Sequence, residues 1–155
     1  MTIVQVQPGH EAAALKAASQ RVWFTVKIPG YLAGPATQLI RVFTNEAIHE
    51  DDPNVSMMAQ LMYEAPGETA TPPANSMMVI EEAGHHSIRP SDATPVTTPS
   101  NAGYTAWVEH YPSKPGIPFA AVYTFMTSHN TTTFTFSLQK PVSDAQAIKM
   151  YDSLK

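Results

Sequence analysis

The residues best suited to chemistry in this chain are carboxylates set beside imidazoles. Glu81 and Glu82 stand just before Gly84, His85 and His86, at what reads as a strand end, and Glu109 adjoins His110 further on. General acid and base catalysis needs such groups within hydrogen-bond reach of one substrate, with proton affinities near the working pH. Glu81, His85, His86 and His110 are therefore the candidates for acid–base work. The plainer reading is a polar strand end running into a turn, and it is preferred because nothing else completes a catalytic pattern. Adjacent histidines on a strand point to opposite faces and cannot chelate one metal together, and the chain has no H-x-H, H-x-x-x-H or H-E-x-x-H spacing. It also has no G-x-S-x-G elbow, no phosphate-cradling glycine loop and no dinucleotide fingerprint. Zero cysteines remove thiolate catalysis and sulfur-based zinc sites. Glu50, Asp51 and Asp52 before Pro53 lack the ligand spacing of a calcium loop and read as a solvated turn. No cofactor and no metal is expected.

The aromatic and methionine inventory is the stronger candidate for recognition. Trp107, Tyr104, Tyr123, Met58 and Met62, with Arg41 as the accompanying cation, are the candidate binding residues. Methionine adapts to irregular partners, so such a set could line a pocket or an interaction face. The alternative is that most of these side chains are ordinary core.

The elements that would position them follow from periodicity. Ile3, Val4 and Val6 suggest a short first strand before Pro8 and Gly9 turn the chain. The alanine-rich stretch from Glu11 to Gln20 favours a helix, with Ala14, Leu15 and Ala18 inward. Val22, Phe24, Val26 and Ile28 alternate with Trp23, Thr25 and Lys27, which predicts a strand stopped by Pro29. Thr37 to Thr44 predicts another. Val55 to Glu64 is apolar on both parities, as expected of a strand inside a sheet and covered on both sides. Ser76 to Glu82 and Tyr104 to Tyr111 read as strands, and Arg89 to Gly103 as a long proline-rich loop.

Ile117, Phe119, Ala121, Tyr123 and Phe125 alternate, as do Phe134, Phe136 and Leu138, around a turn at Ser128, His129 and Asn130, so a hairpin is expected. After Pro141, Ser143 and Gln146 match a capping box, and Ile148, Tyr151 and Leu154 predict the apolar stripe of the helix that follows.

Composition narrows the function classes. At 155 residues the chain suits one domain with one core, spanning residues 1–155. Charged residues make up 14%, against about 25% in ordinary globular domains, and fourteen prolines add to a surface of strands and ordered loops. The net charge of −4, with nine Lys and Arg scattered singly, offers no basic stripe, so nucleic acid is not an expected partner. No apolar run approaches the ~20 residues of a spanning helix. MTIVQVQPGH lacks a signal-type core, and a cytoplasmic location is expected.

The stretch from GYTAWVEHY through FAAVYTFMTSHNTTTFTFSLQKPVSDAQAIKMYDSLK resembles the C-terminal half of the Mog1/PsbP-like group, DcrB/LpqN-type members included. The resemblance rests on a Phe-rich last strand, a proline and a closing helix, here Phe134, Phe136, Pro141, Ser153 and Leu154, and covers about a third of the chain. The tryptophan usual early in that group has only Trp23 as its counterpart here. The resemblance implies a binding, adaptor or chaperone role and no catalytic motif.

The expected fold is α+β: an antiparallel sheet of about seven strands packed by an N-terminal and a C-terminal helix. The expected function is a non-catalytic binding or adaptor protein, or a small chaperone, acting through a sheet face and the Arg89 to Gly103 loop, with a protein partner or self-association. The alternative is a small-molecule pocket of NTF2 or START shape, taking a small apolar ligand and using the Glu and His groups above.

Overall fold

The computed structural model describes residues 1–46, 57–69, 76–83, 94–95, 106–111, 121–127, 132–139 and 142–154. The fold is α+β. Among the described residues there are two helices, α1 (Glu11–Ser19) and α2 (Asp144–Asp152), and eight strands. The strands are β1 (Thr2–Gln5), β2 (Gln38–Asn45), β3 (Met58–Glu64), β4 (Ser76–Ala83), β5 (Thr94–Pro95), β6 (Ala106–Tyr111), β7 (Ala121–Thr127) and β8 (Thr132–Gln139). All pairs are antiparallel, in the order β1-β2-β3-β4-β8-β7-β6-β5. Two meanders, β1 to β4 and β5 to β8, are joined by β4 against β8.

Alternation decides which side chains go inward. Along β3, Ala59, Leu61 and Tyr63 are buried while Met58, Gln60 and Met62 are half-buried. The register aligns Leu61 with Val42 on one side and with Val79 on the other, and Val79 in turn with Phe136. These residues therefore share one inner face, and both helices pack on it in a single cluster. β3 lies inside the sheet, as its apolar character predicts, but its second face is only partly covered. A bulge between Leu39 and Arg41 in β2 returns Leu39 and Val42 to the same buried side.

Burial of Tyr63 pushes its hydroxyl from 10.0 up to about 12. The unfolded chain ionises first, so this side chain's contribution to stability is intact below pH 10 and is lost as pH rises towards 12. The expected loss across that window is about 2–3 kcal/mol. Denaturant midpoints of wild type and Tyr63→Phe on both sides of the window check this; equal slopes in the two proteins would refute it.

Several elements depart from the sequence expectation. The segment Val22–Ile28 is not a strand. Val22, Phe24 and Val26 are buried and Trp23 is 56% exposed, so the alternation is real. Three of its amides, however, donate to side chains. The Val26 amide donates to Ser19 Oγ at 3.0 Å, the Lys27 amide to Glu81 Oε2 at 3.0 Å, and the Trp23 amide to Met57 Sδ at 3.2 Å. The segment is a strap laid across the inner face, joined to the sheet through side chains instead of a backbone ladder. It continues to α2, where Pro29 bridges Leu154, the Gly30 amide donates to the Ser153 carbonyl at 2.9 Å, and the Tyr31 amide donates to Ser153 Oγ at 2.9 Å. Lys149 Nζ sits 4.2 Å from the centre of the Tyr31 ring. Gly34 follows at φ +74, where a Cβ would come within 3.2 Å of Val142 Cγ2, so both backbone and space call for glycine.

The proline-rich stretch contributes β5, two residues paired with β6. The remainder of Arg89 to Gly103 lies outside the described residues, as do Ile117, Phe119 and the turn residues Ser128, His129 and Asn130. The hairpin itself is present, with β7 paired to β8 from Ala121↔Gln139 to Thr127↔Thr133.

The capping box of α2 forms as expected. The Gln146 amide donates to Ser143 Oγ at 3.2 Å and the Ser143 amide to Gln146 Oε1 at 2.9 Å, a device usually worth about 1 kcal/mol. The buried stripe is shifted from its predicted position: Ala147, Met150 and Tyr151 carry it, and Ile148 and Leu154 pack at its margin. Positions 147, 150, 151 and 154 are the i, i+3, i+4, i+7 set of one helix face, which the smaller Ala147 disguised.

Candidate functional site

The face of the sheet opposite the core gathers most of the sequence-predicted binding residues. The register runs Gln5↔Arg41, Arg41↔Met62, Met62↔Met78 and Met78↔Ser137, so these positions form one transverse row. Tyr123 continues that row through its pairing with Ser137. A neighbouring row runs Ile3, Phe43, Gln60, Ile80, Thr135, Phe125 and Trp107, and Met58, paired with Asn45 and Glu82, lies in a third. Antiparallel partners share a face, so one surface carries Arg41, Met58, Met62 and Trp107.

The surface is mostly half-buried. Arg41, Phe43, Met58, Met62, Met78 and Ile80 are all intermediate in exposure, and Ile3 at its border is 57% exposed. Trp107 is different, being only 3% exposed, while Val108 on the opposite face is 2% exposed. Both sides of β6 are therefore covered at this point, and Trp107 acts there as core. Within the methionine patch, Gln60 Nε2 donates to Met78 Sδ at 2.6 Å. Arg41 Nε is buried and has no hydrogen-bond partner among the described residues. A guanidinium N–H held out of water without an acceptor is costly, and a guanidinium is also suited to pair with a carboxylate or carbonyl oxygen.

Of the acid–base candidates only Glu81 and His110 lie among the described residues, and these two are not brought together. Glu81 projects from β4 into the core, 3% exposed, where its carboxylate accepts the Lys27 amide. It shares its parity with buried Met77 and Val79, a signal in the sequence that it faces inward. His110 lies in β6, paired with Val122, three strands across the sheet. From the register and ordinary strand spacing, their backbones are about 20 Å apart. His85, His86 and Tyr104 lie outside the described residues. No group of three or more His, Asp or Glu positioned to hold a metal occurs among the described residues.

A second feature was not foreseen from sequence. An open cleft of about 330 Å³ separates β1 from α1, lined by Val4, Val6, Ala13 and Ala17 with His10 and Arg21. Its signal was the alanine repeat of α1 opposite an apolar first strand, read only for its inward side.

Among the described residues no helix is long and apolar enough to cross a membrane. Compared with protein-family models, curated proteins and solved structures, the chain finds no match in any of the three.

Proposed function

We propose that this is a non-catalytic binding or adaptor protein that engages a protein partner through the outer sheet face centred on Arg41, Met58, Met62 and Met78, together with the Arg89 to Gly103 stretch. The observation that carries the reading is the half-buried methionine patch with Arg41 in the same row, on a sheet whose other face is filled by the core. Methionines supply an adaptable apolar contact, and the guanidinium selects a partner that offers an oxygen acceptor. The resemblance of the last third to the Mog1/PsbP-like group, whose members are mostly binding, adaptor or chaperone proteins, supports the same role. The commitment of Glu81 to a backbone amide weighs against the pocket-enzyme reading.

A photo-crosslinking amino acid at position 62 tests this. It is expected to give a defined adduct that disappears in the Arg41→Glu background, while the same probe at exposed Ala145 gives none. Identical products from both positions, or no adduct from position 62, would refute the proposal.

A further inference from the structure

The cleft at the β1 edge has features of a site distinct from the outer sheet face. β1 is the last strand on its side of the sheet, and no described strand pairs with its outer edge. The Val6 amide donates to the Ile40 carbonyl at 2.9 Å, so the alternation of an antiparallel ladder turns Val4 and Thr2 towards β2 as well. Ile3 and Gln5 therefore present their backbone N–H and C=O groups outward. Sheets normally blunt such an edge with lysine, proline or a bulge. The sequence Thr2–Gln5 has no charge and no proline, and the bulge lies in β2.

Beside this edge α1 stands off from the strand. Val4 and Val6 form one wall of the cleft and Ala13 and Ala17 the other. Alanines leave the volume that one side chain of a neighbouring strand would occupy. Arg21, also in the lining, has no carboxylate partner among the described residues, so a cation borders the cleft of a chain whose net charge is −4.

We infer that this edge binds an extended, acidic peptide segment of a partner protein as an added antiparallel strand on β1. Backbone hydrogen bonds to Ile3 and Gln5 hold the segment. An apolar side chain enters the alanine-lined cleft, and a carboxylate reaches Arg21. A second copy of this chain fits less well, because its own β1 contributes no carboxylate and its Arg21 would add a like charge at the junction.

The test uses the whole chain and a fluorescent pentapeptide, acetyl-Val-Thr-Val-Thr-Glu, followed by anisotropy and by amide chemical shifts. Saturable binding is expected, with shifts confined to residues 2–7 and α1. Kd should rise roughly tenfold when the peptide's pairing amides are N-methylated, as the loss of one or two edge hydrogen bonds implies. Gln5→Pro removes an outward N–H that the native ladder does not use, and is expected to weaken binding similarly. Arg21→Glu, or lysine in place of the peptide's glutamate, should do the same, and added salt should lower affinity. Met62→Lys, which disturbs the outer face, should leave peptide binding unchanged, so the two proposals fail separately. The inference is overturned by an absence of binding at millimolar peptide, by shifts centred on β3, or by indifference to N-methylation. A concentration-dependent dimer that Gln5→Pro abolishes would also overturn it, by assigning the edge to a second copy.

Discussion

Replacing Phe136 with alanine is expected to destabilise the fold by about 3–5 kcal/mol. Phe136 is fully buried at the middle of β8, between Val79 of β4 and Thr124 of β7 in the register. Its ring meets that of Tyr151 edge to face, with centroids 6.4 Å apart and planes at 84°. The substitution removes the transfer energy of the ring, the aromatic contact to α2 and the contacts of the cavity lining together. Native domains hold only about 5–15 kcal/mol in total, so a large part of the margin would go. Urea denaturation at neutral pH measures it. Thr135→Ala, next in sequence but half-buried on the outer face, should cost less than about 1 kcal/mol and serves as the control. Equal losses for the two variants would mean that the inner face is not the core.

Glu81→Ala is the second large effect, expected at about 2–4 kcal/mol. The carboxylate is buried and accepts the Lys27 amide, so its removal leaves a part-buried N–H without that acceptor and opens a void against the strap. Glu81→Gln keeps an acceptor oxygen of similar reach and should lose about 1 kcal/mol. Amide exchange adds a local readout: Lys27 protection should fall in the alanine variant and largely persist in the glutamine variant. If the two variants behave alike, or if Lys27 exchange does not respond, the carboxylate does not anchor the strap.

These two residues show where sequence reasoning succeeds and where it stops. Strict alternation made β8 and its inward Phe134, Phe136 and Leu138 legible, because a half-buried strand has little freedom over which parity faces the core. The cap of α2 was legible because its hydrogen bonds are local. Alternation in Val22–Ile28 misled, since side-chain period reports which residues are buried and says nothing of who accepts the backbone amides. One of the acceptors is Glu81, far away in sequence, and the same carboxylate was an acid–base candidate because a buried structural acceptor and a general base use the same side chain. Of the binding candidates, Arg41, Met58 and Met62 fall together because the β2–β3–β4 register aligns them. Trp107 shares their face but is sealed off, which no property of its own segment could reveal.

The order of the strands also bears on how the molecule assembles. β4 meets β8 at the centre of the sheet, although Met77 and Leu138 are far apart in sequence. The strands β2 to β4 and β5 to β8 can each form from sequence neighbours, but the contact that unites the two sets closes a long loop and is entropically slow. Until β8 docks, β4 keeps a bare edge built of Ser-Met-Met-Val-Ile, a segment with strong pairing tendency and no charge before Glu81. Those two glutamates at its far end then act as electrostatic guards against mispairing during that interval. Docking of β8 on β4 is therefore the step that closes this window for mispairing.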